Sequence, residues 1–450
     1  MKRSNYIELE KLLIIIIFIS FLVRILFFHP SFSDENFYFN AGKIVSEGKI
    51  PYKDFFFAHP PMQIYTYALI FKIFGTSLFV GKIIPLVASS LSIFLIFKIL
   101  NKLYDSRTGF IGSIIFLVMP GFIAFSSMGY GMWESIFFIL LAIYSTTKNK
   151  VDLAAVSLVI GLFFRYLIVI YLPFLILLMY VKKLKLKRFL FVFFSLSLVL
   201  LSLMFLIFGW NCINQTILFH IVSKVITKWM EKLVWQYLSM GFFTFFLGLI
   251  SIYVAFDKKD KLLLLFSVYP LIIDMIIFFG LNYIAYHYFL ISLSFIAIAT
   301  ARALTVSKDK LLYLIIPVIL ILSLTSNFKT IDFYLNPIHA ESLYSAAEFI
   351  ANNTSEEDSI FGEPVLTNYV SFVTDRRMGS NYYDSYLRHL IFEGEEKVIQ
   401  SLNRDKPKFI IEAGDYYLSN VYFRDFILNN YEFVKDFEGT PRYSIYQIIA

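Results

Sequence analysis

Cysteine is almost absent from this 450-residue chain, in which Cys212 stands alone. A single cysteine excludes an intramolecular disulfide and any cysteine-based metal cluster. Charged residues are also scarce at 16%, whereas hydrophobic residues make up 58% and include 52 Phe and 30 Tyr. Soluble proteins do not have this composition, so we interpret the chain as an integral membrane protein.

No small-residue cleavage site follows the first apolar segment, which Arg24 interrupts. We therefore interpret this segment as a retained membrane helix rather than a signal peptide. Apolar runs long enough to cross about 30 Å of hydrocarbon recur as far as Asn327. They predict an all-α polytopic bundle of about eleven transmembrane helices, at 12–28, 78–100, 108–126, 132–146, 153–163, 166–180, 189–208, 233–256, 262–279, 283–303 and 311–326.

The fifth and sixth of these spans form one long apolar run that is broken only at Arg165. Two short helices that meet at a buried turn and one re-entrant hairpin both fit this pattern.

Lysine and arginine collect on alternate loops of the predicted bundle. Because cytoplasmic loops carry the excess of these residues, the distribution places the amino terminus inside the cell and everything after Asn327 outside. The predicted location is therefore the plasma (cytoplasmic) membrane, with multiple passes. The net charge of +7 follows these loops and does not indicate a nucleic-acid partner.

Two outer loops, 29–77 and 209–232, are rich in aromatic residues and too polar to span the membrane. We expect short helices on the membrane surface in the first loop. In the second, Ile217, Ile221, Val225 and Trp229 share one helical face, and Lys224, Lys228 and Lys232 lie on another. A second interfacial helix is predicted there, whose lysines either face solvent or meet anionic lipid headgroups.

After residue 327 the composition becomes that of a soluble protein. The periodicity predicts helices at 339–352 and 421–430 and strands at 359–362, 407–412 and 443–446. The predicted division is therefore a transmembrane domain, 1–327, with its two outer loops, and a small extracytoplasmic α/β domain, 328–450. Polar clusters in the second domain, at 375–377 and 382–384, are interpreted as ordinary turns, with covering a functional site or contacting a substrate as the alternative.

Six ionisable residues lie in or beside the apolar runs, all toward the predicted outer side: Arg24, Lys82, Glu134, Arg165, Asp274 and His287. A transporter would concentrate such groups near the bilayer midplane. Simpler roles stay open for each of them. Arg24 and Lys82 can extend to the outer headgroups, Glu134 and Asp274 can be structural partners of the arginines, and His287 can be an interfacial histidine.

The first outer loop carries the motifs with the clearest chemical meaning. Two adjacent carboxylates, Asp34 and Glu35, follow the first helix, and Tyr38, Pro51-Tyr52, Asp54 and His59-Pro60-Pro61 come after them. This order of residues resembles the polytopic membrane glycosyltransferases of the C-type (GT-C) fold. More narrowly, it resembles the protein O-mannosyltransferase-like and aminoarabinose-transferase-like branch.

The resemblance implies transfer of a sugar from a polyprenyl-phosphate carrier to a protein, glycan or lipid acceptor at the outer membrane face. It gives Asp34 the position of the general base and Glu35 a supporting role. Lys82 and Arg165 are the first candidates for stabilising the leaving phosphate, followed by Arg24 and the lysine face of the second outer loop. Further candidate substrate-binding residues are Tyr38, Tyr52, Asp54, His59, Glu134 and His287.

Other interpretations of these residues remain. A divalent ion, Mg or Mn, bridging Asp34 or Glu35 with Glu134 is conceivable because hard cations prefer oxygen ligands. Asp54 can instead cap a helix, and His59-Pro60-Pro61 can be a rigid break before one. Alternative functions for the whole chain are a transporter or lipid flippase of envelope glycan precursors, and an envelope assembly protein whose outer domain binds a partner.

Overall fold

A computed structural model describes residues 3–222, 230–280, 286–307, 309–438 and 442–449. The described chain is mostly helical and divides into two compact units. The first, the helical unit, comprises Met1–Leu26, Ile83–Ser202 and Val225–Phe333. The second, the mixed unit, comprises Phe27–Lys82, Leu203–Lys224 and Tyr334–Ala450. Each unit is therefore formed by three segments that are far apart in the sequence.

Within the described residues, each of the eleven predicted spans overlaps one or more helices. The α-helices in these regions are Arg3–Ile25, Leu78–Leu103, Ser106–Leu117, Pro120–Phe125, Met132–Thr147, Val151–Phe164, Leu172–Val181, Leu186–Phe208, Met230–Lys258, Lys261–Gly280, Leu290–Val306 and Leu312–Ser326. Two short 3-10 helices, Tyr166–Tyr171 and Tyr286–Phe289, precede two of them.

Within the described ranges, four helices are long and apolar enough to cross a membrane: Leu78–Leu103, Leu186–Phe208, Lys261–Phe278 and His287–Val306. A fifth span is added if Leu312–Ser326 and Phe328–Leu335, which are bent by 54° at their junction, count as one. Several of the other helices in the predicted spans have only 10–17 residues. The chain is a polytopic membrane protein, and the count of eleven crossings stays a prediction.

Close helix packing in the helical unit depends on small residues. A Cβ atom added at Gly112 would lie 2.3 Å from Leu100 Cδ1 and 3.2 Å from Ala301 Cβ. A side chain at this position would require the Leu100 side chain to shift, so the Ser106–Leu117 helix packs closely against its neighbours at Gly112. The apolar run of the fifth and sixth predicted spans is indeed broken at Arg165, whose backbone is extended with φ −149° and ψ 117°.

The mixed unit contains two helices in the first outer loop, Glu35–Ser46 and Met62–Phe74, which agree with the short helices predicted there. The second loop forms Trp210–Ile213, the π-helix Asn214–Leu218 and Phe219–Val222. The predicted second interfacial helix continues into residues outside the described ranges. A location of either loop on the membrane surface stays a prediction.

The carboxyl-terminal part of the mixed unit holds one five-stranded sheet. Its strands are β1 (Ser359–Gly362), β2 (Arg377–Met378), β3 (Phe409–Ala413), β4 (Tyr431–Phe437) and β5 (Tyr443–Ile448). Their order is β2-β1-β3-β5-β4; β1 is parallel to β2 and β3, and β5 is antiparallel to β3 and β4. The surrounding helices are Glu341–Asn353, Pro364–Thr374, Leu387–Glu393, Glu395–Asp405 and Val421–Asn430.

The core of this part consists of apolar and aromatic side chains packed between the sheet and its helices. Phe361 of β1 and Ile410 of β3 are buried together with Leu402, Tyr417 and Phe423. The segment after residue 327 therefore has α/β character, as its composition predicts. Its status as a separate domain with a boundary at residue 327 stays a prediction.

Candidate active site

Glu35 and Lys82 form a buried ion pair in the mixed unit. Lys82 Nζ donates to Glu35 Oε1 at 2.6 Å, and the two residues are 1% and 0% exposed. The hydroxyl of Ser31 donates to the same carboxylate oxygen at 2.7 Å. A buried charge is tolerated only when it is paired and hydrogen-bonded. Glu35 and Lys82 therefore compensate each other within the protein.

Asp34 has a different environment although it adjoins Glu35. It is half-buried and directly precedes the Glu35–Ser46 helix. Its Oδ1 atom accepts a hydrogen bond from the hydroxyl of Tyr386. The positive end of the helix dipole favours negative charge at this position. Of the two adjacent carboxylates, one is enclosed and paired with a lysine, whereas the other is partly accessible and held by a tyrosine.

The other groups near Asp34 come from the end of the chain. Tyr334 lies within electrostatic range of both Asp34 and Glu35. Glu363, which caps the Pro364–Thr374 helix through a hydrogen bond from Leu366 N at 2.9 Å, is also within range of Asp34. Burial raises the pKa of Glu363 to about 7, and the nearby charge of Asp34 contributes to this increase. Several acidic and phenolic groups thus surround the carboxylate.

The remaining predicted residues of the first outer loop form an aromatic core. The ring of Tyr38 lies 5.5 Å from the ring of His59, and Phe57 packs against both. Tyr52 is 1% exposed and its hydroxyl donates to the backbone carbonyl of His59 at 2.6 Å. Asp54 is exposed and accepts a hydrogen bond from Ile50 N at 2.7 Å, which closes a local turn. These contacts give the loop a fixed shape.

Three predicted residues of the helical unit lie around Tyr130. The ring of His287 stacks on the Tyr130 ring at 4.7 Å, and Arg165 Nε donates to the Tyr130 carbonyl. Glu134 is 5% exposed and interacts electrostatically with Arg165, and neither of its carboxylate oxygens has a hydrogen-bond partner among the described residues. The helical unit therefore brings Glu134, Arg165 and His287 into one polar cluster.

Arg24 and Asp274 have structural partners in the same unit. Arg24 donates to the hydroxyls of Ser89 at 2.8 Å and Ser90 at 2.6 Å, and its guanidinium lies over the Phe122 ring. Asp274 accepts a hydrogen bond from the Ser292 hydroxyl.

The three lysines of the second outer loop cannot be placed in this way. Lys224, Lys228 and the side chain of Lys232 lie outside the described residues.

Among the described residues, the predicted carboxylates are not part of a ready-made group of metal ligands. Glu35 Oε1 already accepts hydrogen bonds from Lys82 and Ser31. Among the described residues there is also no group of three or more His, Cys, Asp or Glu side chains that could hold a metal ion. Metal ligation by Asp34, Glu35 or Glu134 stays a hypothesis from the sequence.

Sequence reasoning missed Tyr386, which contacts Asp34 directly, and Glu363, which lies near it. Both belong to segments interpreted as turns or left without a role. A local signal existed for Glu363, because an acidic residue directly before Pro364 is typical of a helix start. No local pattern connects Tyr386 with a carboxylate more than 350 positions earlier in the sequence.

This combination of a polytopic helical bundle, an acidic first outer loop and a small carboxyl-terminal α/β part is the C-type fold of polytopic membrane glycosyltransferases. The crystal structure of ArnT from Cupriavidus metallidurans bound to undecaprenyl phosphate matches with a TM-score of 0.67 and 11% identity. The match covers 100% of this chain and 99% of ArnT. The apo state of the same ArnT matches with a TM-score of 0.64 and 11% identity, covering 98% of both chains.

A more distant match is the Archaeoglobus fulgidus oligosaccharyltransferase tethered with an acceptor peptide containing the NVT sequon. Its TM-score is 0.53 at 14% identity, with coverage of 100% of this chain and 74% of the other. At these identities the likeness establishes the fold.

The sequence itself provides a further comparison. The family model for dolichyl-phosphate-mannose-protein mannosyltransferase matches residues 58–210. No curated protein sequence matches the chain. Together with the structural matches, this family model confirms the resemblance to the C-type glycosyltransferases that the first outer loop indicates.

Proposed function

We propose that the protein transfers a sugar from a polyprenyl-phosphate donor to an acceptor at the outer face of the membrane, with Asp34 as the general base. The observation that carries the proposal is the contrast between two adjacent carboxylates. Glu35 is enclosed and neutralised by Lys82, whereas Asp34 is half-buried and hydrogen-bonded to Tyr386. Of the two carboxylates, only Asp34 is therefore partly accessible to a substrate.

The chemistry requires a base and a stabilised leaving group. In the proposed reaction, the acceptor oxygen or nitrogen attacks the anomeric carbon of the sugar while the Asp34 carboxylate removes its proton. The bond from the anomeric carbon to the phosphate oxygen breaks, and the polyprenyl phosphate departs with the electron pair. Cationic groups stabilise the charge that develops on this phosphate.

Lys82 has a different role in this scheme from the phosphate contact that the sequence suggests. Its ammonium group is buried and bonded to Glu35, so the pair serves to hold the beginning of the Glu35–Ser46 helix. Arg165 remains the candidate for the leaving phosphate. Substrate binding by Tyr38, Tyr52, Asp54, His59, Glu134 and His287 likewise stays a prediction.

The proposed orientation places the amino terminus in the cytoplasm and residues 328–450 outside, with eleven crossings. Ion pairs in the helical unit support the grouping of helix ends from which this orientation is proposed. Arg188 Nε donates to Asp152 at 2.6 Å, Arg302 Nε donates to Asp260 at 2.9 Å, and Lys98 pairs with Glu10. Each pair joins helix ends that the distribution of Lys and Arg assigns to the same cytoplasmic side.

The donor class is proposed from the fold and from what related structures contain. The ArnT structure holds undecaprenyl phosphate, and the Archaeoglobus fulgidus enzyme is an oligosaccharyltransferase with a tethered acceptor peptide. We accordingly assign this chain a lipid-phosphate sugar as donor and a protein, glycan or lipid as acceptor.

The test uses membranes that contain the full-length protein and a panel of radiolabelled polyprenyl-phosphate sugars. Asp34→Asn is expected to abolish transfer while the variant remains folded. The matched control is Asp425→Asn, because Asp425 is exposed on the Val421–Asn430 helix in the same unit and should leave transfer unchanged. Full transfer by Asp34→Asn would overturn the proposal. A lipid flux in proteoliposomes that survives this substitution would favour the flippase alternative.

A further inference from the structure

We propose that Tyr386 is a positioning residue that orients the Asp34 carboxylate for proton removal. This inference rests on the proposed function, in which Asp34 is the base. The Tyr386 hydroxyl donates to Asp34 Oδ1, and Asp34 is half-buried. A hydrogen bond to an ionised carboxylate is stronger and more directional than one between neutral groups. It restricts the orientation of the carboxylate while leaving the group partly accessible.

The backbone before Tyr386 is attached to the sheet. The hydroxyl of the preceding residue, Ser385, donates to the carbonyl of Gly362 at 2.8 Å, where β1 ends. The buried hydroxyl of Tyr417 donates to the carbonyls of both Gly362 and Ser385. These bonds fix the position from which the Tyr386 side chain extends, so little conformational entropy is lost when it binds Asp34.

The Tyr386 ring also packs against a residue of the Leu387–Glu393 helix. The His389 ring is buried and lies 5.6 Å from the Tyr386 ring. Arg388 Nε donates to His389 Nε2 at 3.2 Å, so the neutral imidazole carries its proton on Nδ1 and donates it to Asp384. Burial lowers the pKa of His389 and raises that of Asp384, which keeps the imidazole uncharged.

The helix that follows Asp34 is held by the same part of the chain. Along it, hydrogen bonds and an ion pair lead to the Pro364–Thr374 helix and the residue after it: Asn36 to Val365, Asn40 to Asn368 and Lys43 to Asp375. The segment 334–450 therefore determines both the place of the Asp34 backbone and the direction of its carboxylate. This segment therefore contributes residues that position the proposed base.

The test is steady-state kinetics of the full-length protein in detergent or lipid with a polyprenyl-phosphate sugar donor. Tyr386→Phe removes only the hydroxyl, so kcat is expected to fall about tenfold or more while the KM for the donor and the thermal unfolding temperature stay unchanged. The rescue variant carries 4-aminophenylalanine at position 386, which keeps a donor at the same place and should restore most of kcat. The matched control is Tyr422→Phe, because Tyr422 is half-exposed on a surface helix.

A double-mutant cycle separates positioning from general structure. Asp34→Glu moves the carboxylate away from Tyr386, so adding Tyr386→Phe should lower kcat much less than it does in the wild type. Unchanged kcat in Tyr386→Phe, failure of the rescue, or strict additivity with Asp34→Glu would each overturn the inference. None of these outcomes would contradict the proposed function, which is contradicted only if Asp34→Asn retains transfer.

Discussion

Lys82 Nζ lies 2.6 Å from Glu35 Oε1, and both side chains are buried. The carboxylate that follows the proposed base is therefore already compensated within the fold. Because the two residues are 47 positions apart in the sequence, the pair also joins the beginning of the Glu35–Ser46 helix to the amino-terminal end of the Leu78–Leu103 helix.

This pair predicts an asymmetric response to mutation. Lys82→Met leaves a buried unpaired carboxylate and should cost about 3–5 kcal/mol of stability, whereas Glu35→Gln combined with Lys82→Met should recover much of that loss. Thermal unfolding of the detergent-solubilised protein measures both. If Lys82→Met unfolds like the wild type and raises only the donor KM, Lys82 binds the phosphate and the role assigned to it here is wrong.

The sequence predicts local structure well where a single pattern determines it. The strand Ser359–Gly362 has the predicted bounds, and the break at Arg165 is where the apolar run predicts it. Strand β4 was missed because Glu432, Lys435 and Asp436 interrupt its apolar alternation. That composition suits its place at the edge of the sheet, where charges discourage pairing with other chains.

The candidate site was predictable only in part, for a physical reason. Adjacent carboxylates next to a predicted membrane helix are visible in the sequence, and they indicate Asp34 and Glu35. Their partners are determined by the tertiary structure. In the sequence, Lys82 looks like any other basic residue near a helix start. Tyr386 likewise looks like any other tyrosine in a polar loop. The Pro364–Thr374 helix was also missed, since its sequence is rich in β-branched and aromatic residues.

Lys43 provides a second test of how the mixed unit is held together. Its ammonium group donates to the carbonyls of Ser371 at 3.2 Å and Phe372 at 3.3 Å, and it also pairs with Asp375. It thereby satisfies carbonyls at the end of the Pro364–Thr374 helix. Lys43→Met should lower stability by about 1–3 kcal/mol, measured by thermal unfolding. The exposed Lys53→Met is the control, and equal unfolding temperatures for the two variants would contradict this role.

The close approach of β1 and β3 at Gly362 predicts that adding one methyl group there strongly destabilises the fold. It ends β1 with φ +153°, and an added Cβ atom would lie 2.1 Å from the backbone oxygen of Ile411. Gly362→Ala should therefore separate β1 from β3 and prevent stable expression. Gly414→Ala is the matched control, because Gly414 also has a positive φ, +60°, but no atoms within 4 Å of an added Cβ. If both variants express and unfold alike, the close approach of the strands is not essential.

The burial of Glu412 leads to a prediction of how the stability of the fold depends on pH. It is fully buried in β3, and burial, together with the nearby charge of Glu363, raises its pKa from the ordinary value of 4.5 to about 8. Between these two pH values the folded state binds more protons than the unfolded state, so this group stabilises the fold below about pH 4.5 and its contribution is lost as the pH rises toward 8.

Glu412→Gln cannot ionise, so the decline in unfolding temperature between pH 5 and pH 8 should become shallower. The decline should not vanish, because the pKa of Glu363 is raised to about 7 and contributes in the same range. The exposed Glu432→Gln should keep the wild-type slope. The measurement is the unfolding temperature of the wild type, Glu412→Gln and Glu432→Gln across this pH range. If the unfolding temperature of Glu412→Gln declines with pH as steeply as that of the wild type, Glu412 is already ionised in the folded protein.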